Sequence, residues 1–240
     1  MARPLTVPLA PGVWRIPLVR DFVNGFILRD DDGQVTLVDM GIRRSGPRVM
    51  AALSSIESGP SDVTRLMLTH AHPDHAGGAA HVARETGQPF GIHEDDAAYA
   101  RTGFSPPRDE SLRLGRLANR LGGGRKDFEP LEVAETFTDG QVLDIAGGLQ
   151  VVHTPGHSPG HAAYLHSPSG VLITGDSIFN VRGLRWPVKT FCTSFRLTTV
   201  TAHRLAELEY STAAFTHGPE LRVNPREQIR RFLATHPTVD

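Results

Sequence analysis

The chain has 240 residues, of which 39% are hydrophobic and 21% charged, ordinary values for a soluble globular protein with a sizeable core. A formal net charge of −1 and a sequence pI near 6.9 leave no basic surplus to draw in a phosphate backbone, so nucleic acid is excluded as the leading partner. Cys192 is the only cysteine, which rules out an internal disulfide and suits a small buried apolar side chain.

In chain order, the N-terminal stretch MARPLTVPLAPGVW is broken by Pro4, Pro8 and Pro11 and has no apolar h-region. No later run reaches membrane-spanning length. A cytoplasmic protein with no membrane partner is the expectation. Residues 13–19, 24–30 and 34–40 read as strands, with DDDG turning between the last two. Residues 46–58 read as a helix, with Val49, Ala52, Leu53 and Ile56 on one face and Pro47 in the first turn. The apolar run 64–69 predicts a buried strand, 77–86 a helix and 89–93 a further strand.

Residues 95–127 break this rhythm. Leucines at 112, 114, 117 and 121 alternate with arginines at 113, 116, 120 and 125, and Gly115, Gly122, Gly123 and Gly124 loosen the segment. It reads as an inserted amphipathic helix with a solvated basic face, or as a cap over a cleft that attracts an anionic group. Beyond it the strand-rich pattern returns at 135–145, 149–154, 162–167 and 170–176. A helix at 199–209, a strand at 213–218 and a last helix at 225–236 complete a single domain spanning 1–240.

The chemistry gathers at strand ends. THAHPDH places His70, His72, Asp74 and His75 directly after the 64–69 strand, before a glycine-rich helix start. Imidazole and carboxylate are donors that zinc, iron and manganese accept. Four of them within six residues exceed what one tetrahedral site with an open position needs, and so predict two divalent ions. Later donors recur after apolar strands: His157 in VVHTPGHSPGH, Asp176 in VLITGDS and His217 in AAFTHGP. Adjacent glycines let the backbone turn sharply at these points.

These motifs, THAHPDH, TPGHSPGH, TGD and THG, match in order and spacing those of the metallo-β-lactamase-fold hydrolases, which the chain resembles from about residue 13 to 235. The resemblance implies a mixed α/β (α+β) chain folded as an αβ/βα four-layer sandwich, with the site at the edge between two sheets. It also implies that His70, His72 and His157 hold one metal, that Asp74, His75 and His217 hold a second, and that Asp176 bridges them. A bridging aspartate is similar to the glyoxalase II and lactonase-like branch, not to the β-lactamases proper; the subfamily is left unassigned. Hydroxyacylglutathione hydrolases carry a further basic helical region where this chain has one helix after His217. Lactonases have a tyrosine where this chain has Phe179.

The expected protein is therefore a metal-dependent hydrolase. A metal-bridging hydroxide would cleave an ester, lactone, thioester or amide, and Asp74 would orient it and move its proton. The two ions are expected to be zinc, with iron or manganese as alternatives. Weak β-lactamase activity is a second reading. A third is a mononuclear iron dioxygenase acting on persulfides through His70, His157 and Asp176. The partner is a small molecule, with a homodimer as the one protein association considered. His161 is expected to steady a ligand loop or line the cleft, and Asp39 to order a loop. Arg182, Arg185, Trp186 and Lys189 are solvated loop residues or a clamp for an anionic group or ring. His81, His93, His153, His166, His203 and His236 are expected to be packing or surface residues.

Overall fold

A computed structural model describes residues 4–121, 126–236 and 238. Gly122, Gly123, Gly124 and Arg125 of the expected insertion lie outside the described residues. The chain first lays down β1 (Val7–Ala10), β2 (Val13–Val19), β3 (Val23–Arg29) and β4 (Val35–Val38), all antiparallel. Helix α1 (Gly46–Ser54) follows, then β5 (Val63–Met67), the one-turn α2 (Pro73–Ala76), α3 (Ala79–Thr86) and β6 (Phe90–His93). After α4 (Glu94–Thr102) and α5 (Arg113–Leu121), β7 (Val133–Phe137) completes a seven-stranded sheet in simple order, with β4 to β7 parallel.

The second half begins with β8 (Val142–Leu143), β9 (Leu149–His153), β10 (Ala162–His166) and β11 (Val171–Ile173). A short ribbon of β12 (Phe179–Asn180) and β13 (Leu184–Arg185) precedes α6 (Phe195–Thr201), β14 (Thr212–Ala214) and α7 (Pro225–Thr235). The second sheet has the order β14-β11-β10-β9-β8, with β11 and β14 parallel.

Strand alternation decides the layers, because successive side chains face opposite sides of a sheet. In β3, Phe26 and Leu28 face the second sheet while Ile27 faces the helices; in β5, Met67 faces inward and Leu66 outward. In β10, Tyr164 meets the first sheet, and Ala163 and Leu165 meet α7 through Phe232 and Leu233. Helices α1, α3 and α4 cover the outer face of the first sheet with Val49, Leu53, Val82 and Ala97. The chain is thus an αβ/βα four-layer sandwich. The two sheets are also joined by a buried hydrogen bond, the Tyr164 hydroxyl donating to Leu68 O at 2.7 Å. Tyr164→Phe should cost about 1–2 kcal/mol, because it leaves that buried carbonyl without its donor. Denaturant unfolding would show the loss as a lower midpoint at unchanged slope.

Many expected elements stand within a residue or two of their boundaries, but the helix expected at 46–58 ends at Ser54, the strands expected at 170–176 and 213–218 shorten to Val171–Ile173 and Thr212–Ala214, and the stretch 135–145 divides into β7 and β8. Three further differences have a local cause. β1 forms despite Pro8, because as an edge strand it needs hydrogen bonds on only one side. The helix expected at 199–209 starts earlier, at Phe195, where the Ser194 hydroxyl accepts from Leu197 N at 3.2 Å, and it tightens to 3₁₀ geometry over Ala202–Ala206. The segment 95–127 divides. Its start, α4, packs Ala97 and Ala100 into the helix-covered core, and α5 stands apart, near Lys189–Phe191. No helix among the described residues is long and apolar enough to cross a membrane.

Candidate metal centre

Strand direction gathers the donors. β9 and β11 both run antiparallel to β10, and β14 runs parallel to β11, so all three end on one edge of the second sheet. His157, Asp176 and His217 follow those ends. On the first sheet, β5 ends at the same edge: Ala162 N donates to Thr69 O at 3.0 Å across the join. His70 and His72 follow β5, and α2 carries Asp74 and His75.

The seven side chains form three clusters of mutually close donors: His70 with His72 and His157; His70 with His75 and Asp176; and Asp74 with His75 and His217. His72 Nδ1 lies 3.1 Å from His70 Nε2 and 2.9 Å from His157 Nε2. The carboxylate of Asp176 is shared between them. Its Oδ1 stands 3.4 Å from His75 Nε2, and its Oδ2 stands 3.1 Å from His157 Nε2 and 3.3 Å from His217 Nε2. Asp74 Oδ2 lies 3.4 Å from His217 Nε2 and 3.8 Å from His75 Nε2.

The outward nitrogens of His70, His75 and His217 are engaged by the protein. His75 Nδ1 donates to Asp39 Oδ2 at 2.9 Å and His217 Nδ1 to Phe22 O at 2.7 Å. The Thr69 hydroxyl donates to Asp39 Oδ2 at 2.8 Å, so at 3.0 Å it accepts from His70 Nδ1. Asp39 Oδ1 also takes Thr69 N, the loop-ordering role its position suggested. These contacts fix each tautomer and leave the inner nitrogen with a lone pair. Nε2 of His75 and Nε2 of His217 are buried and make no hydrogen bond. Buried polar atoms are rarely left without partners, and such nitrogens facing two carboxylates suit divalent cations.

Electrostatics point the same way. Burial alone would push Asp176 up, yet His217, His75 and His157 hold its carboxyl well below the usual range. Burial alone would push the histidines down, yet Asp176 lifts His157 to about 10 and His217 to about 9. Burial and neighbouring imidazoles press His70 and His72 down. The carboxylates therefore demand positive charge at this edge, which protons or metal ions can supply.

His161 steadies a ligand loop and does not face the cleft. Nδ1 sits 3.0 Å from Thr154 O, and Nε2 accepts from Asp176 N at 2.6 Å, so the ring is neutral. Burial, then His157, pushes it down to about 3. Gly175 is required beside it: at φ +54°, a Cβ would stand 2.4 Å from His161 Nε2. Phe179 packs its ring 4.2 Å from that of His217. Cys192 is buried, with Sγ 3.5 Å from His157 Nδ1.

The structure does not bring Arg182, Arg185 or Trp186 to the centre. Both arginines are exposed and line no part of the cavity above it, and Trp186 packs against Phe232 and Phe195 beneath α7. The solvated-loop reading fits the arginines, and packing explains the tryptophan. Lys189 stacks on Phe195 at 4.7 Å. His93 and His153 stack in parallel, ring centroids 3.8 Å apart, beside Asp95. Parallel rings aim their in-plane lone pairs side by side and not at one point, so this pair is a poor chelate.

Residues that composition and spacing did not reveal complete the site. Asp96, fully buried, accepts from Ala71 N at 2.9 Å, the Ser158 hydroxyl at 2.7 Å and Gly160 N at 2.7 Å, tying the two histidine loops together. Thr216 donates to Asp176 Oδ1 at 2.7 Å. Above the centre lies a cavity of about 700 Å³ whose lining includes His72, Asp74, His157, Asp176 and His217.

With this geometry, the comparisons with known proteins converge. Residues 18–217 match the model of the metallo-β-lactamase superfamily. The chain belongs to that superfamily. It is 25% identical over 221 residues to a probable metallo-hydrolase, YybB of Bacillus subtilis, covering 92% of this chain and 87% of the relative. The hydroxyacylglutathione hydrolase GloC of Haemophilus influenzae is 26% identical over 167 residues, 68% of this chain and 70% of its own. A solved metallo-β-lactamase family protein from Thermus thermophilus, TTHA1429, superposes with a TM-score of 0.71 at 26% identity, covering 95% of this chain and 80% of that one. This superfamily member is a hydrolase, and its family implies divalent metal binding at the histidine and aspartate clusters.

Proposed function

We propose that the protein is a dinuclear metal-dependent hydrolase of carbonyl substrates. His70, His72 and His157 hold one divalent ion, Asp74, His75 and His217 the other, and Asp176 contacts both. The observation that carries this reading is the reach of Asp176: its carboxylate stands within 3.1–3.4 Å of imidazoles from both groups, His157 of the first and His75 and His217 of the second. The donor set is imidazole and carboxylate with no thiolate among the seven, which suits zinc and also admits iron or manganese.

Bound there, two divalent ions supply an acidified water and a Lewis acid for the substrate carbonyl. The remaining work falls to the chain itself. Of the two carboxylates among the proposed donors, Asp74 is the more open to the cavity, its side chain 37% exposed against 3% for Asp176. Burial would raise its carboxyl, but His75 and His217 overcome that and keep it ionised. It can therefore accept a hydrogen bond from an attacking water and orient it. Asp176, Asp39 and the Thr69 hydroxyl hold the imidazoles in fixed orientation, so the site is ordered before substrate arrives. Phe179 lays hydrocarbon against His217, so the chain contributes no hydroxyl at that point.

The test combines metal analysis with a screen of lactones, thioesters, aryl esters and β-lactams on one sample. The likeness to a protein named hydroxyacylglutathione hydrolase makes thioesters the first arm. Two divalent ions per chain with turnover of at least one class are expected. One iron per chain, with oxygen consumed on a persulfide, would overturn the hydrolase assignment. Asp74→Asn is expected to lower kcat by roughly a hundredfold or more, the usual cost of losing the positioning of a reacting group. Full rate at full metal content would remove that role from Asp74.

A further inference from the structure

Apolar side chains are distributed unevenly over the surface. Three phenylalanines are exposed among the described residues: Phe22 at 55%, Phe104 at 37% and Phe191 at 49%. All three line the cavity above the metal centre, together with Ile42, Val188 and the mostly buried Phe179. Large exposed apolar groups gathered round one concavity mark a ligand surface, since scattered single residues are the ordinary case. The leucines of α5 continue this surface outward. Leu114, Leu117 and Leu121 are exposed on one helix face, next to Ala118 and Asn119, which line the cavity.

Two cations, Arg43 and Arg108, line that wall, and Arg108 is the one set on an aromatic face. The guanidinium of Arg108 lies 5.0 Å above the ring of Phe191, and the backbone beside it is pinned on both sides by one amide. Asn119 Oδ1 accepts from Arg108 N at 2.9 Å, and Asn119 Nδ2 donates to Arg108 O at 3.0 Å. Among the described residues no carboxylate lies within ion-pair distance of Arg108, in contrast to Arg15, Arg84, Arg204 and Arg226, which are all paired. The nearby wall carboxylate, Asp127, accepts instead from Ser105 N at 2.9 Å. A planar guanidinium held on an aromatic face is a ready partner for a carboxylate or phosphate.

We propose that the cavity selects an amphiphilic anion. Its substrate would be a carbonyl compound with a medium-length hydrocarbon or aryl body lying on Phe22, Phe104 and Phe191, and a second anionic group paired with Arg108. This rests on the hydrolase reading for the reaction at the cavity floor, but the binding preference is measurable without turnover. A substrate lacking the body would leave the phenylalanines wet, and one lacking the anion would leave Arg108 unpaired.

Three carboxylates test this on the metal-loaded protein by calorimetric titration: acetate, octanoate and octanedioate. Each offers one carboxylate to the metal centre, so ratios between them report on the walls. Octanoate is expected to bind at least about tenfold tighter than acetate, a modest return for six buried methylenes. Replacing Phe104→Ala and Phe191→Ala together should bring that ratio below about threefold; neither side chain belongs to the buried core, so the fold should survive, as a thermal midpoint would show. Arg108→Ala should lower the preference for octanedioate over octanoate by about tenfold, and Arg108→Lys should recover part of it. Equal binding of acetate and octanoate, or an octanedioate preference that Arg108→Ala leaves intact, would overturn the proposal. Metal content and turnover on the same samples report separately on the hydrolase reading.

Discussion

Asp176→Asn is expected to abolish hydrolysis and to lose at least one metal ion per chain. The aspartate is the carboxylate that reaches donors of both proposed metal positions, at 3.1–3.4 Å from His157, His217 and His75. An amide of the same shape removes the negative charge that sustains positive charge at the site. It also turns an NH₂ toward nitrogens that should be presenting lone pairs. The substitution acts on a direct contact, so it should exceed the roughly 10- to 100-fold loss of metal affinity caused by altering a supporting residue. Elemental analysis and kcat/KM on the same preparation check it. Two retained ions with activity within tenfold of the parent would show that Asp176 bridges nothing.

Asp96→Ala is expected to be the most damaging change away from the donors themselves. Three hydrogen bonds end on that buried carboxylate, and its removal strands the N–H groups of Ala71 and Gly160 and the hydroxyl of Ser158. At about 1–3 kcal/mol for each stranded group, a loss of roughly 3–5 kcal/mol follows, allowing for partial relaxation. Burial pushes the Asp96 carboxyl up in spite of its donors, so the charge itself is not what the fold gains from it. Asp96→Asn should therefore be milder. Its amide oxygen can replace Oδ2 for Ala71 and Ser158, and only Gly160 N then faces another donor. Chemical denaturation should rank the two variants in that order, and metal affinity should fall with both, because Asp96 joins the loop of His70 and His72 to that of His157. Equal stability of the parent and Asp96→Ala would sink the argument.

Much of this was legible in the residues alone, for a physical reason. A strand buried on both faces reads as an apolar run, and a donor placed directly after such a run sits at a strand end. His70, His157, Asp176 and His217 each stand in that position, so their convergence needed only the strands to run the same way. The alternation of strand-rich and helical segments likewise suggested two sheets with helices outside, and the matched motifs carried the superfamily.

What could not be read were relations between segments distant in sequence. Asp96 is one of three acidic residues opening a helix, where such residues usually just favour the helix N-terminus. Only the packing of α4 beneath the two histidine loops turns it inward. Arg182 and Arg185 lie on a loop close in sequence to Asp176, yet the ribbon of β12 and β13 carries them into solvent. Arg108 attracted no notice in the sequence and lines the cavity, because Asn119, eleven residues on, clamps its backbone.

The sequence by itself determined the superfamily, through the order and spacing of its motifs, and that resemblance implied the layered fold and named seven candidate donors. Those depend on local pattern: motif spacing, strand-end position and residue type. Only the tertiary structure decided which nitrogen of each histidine faces inward, which buried carboxylate ties the loops, and which walls meet the substrate. Those depend on hydrogen bonds and contacts between segments tens to hundreds of residues apart, such as His217 Nδ1 to Phe22 O, which no local pattern encodes.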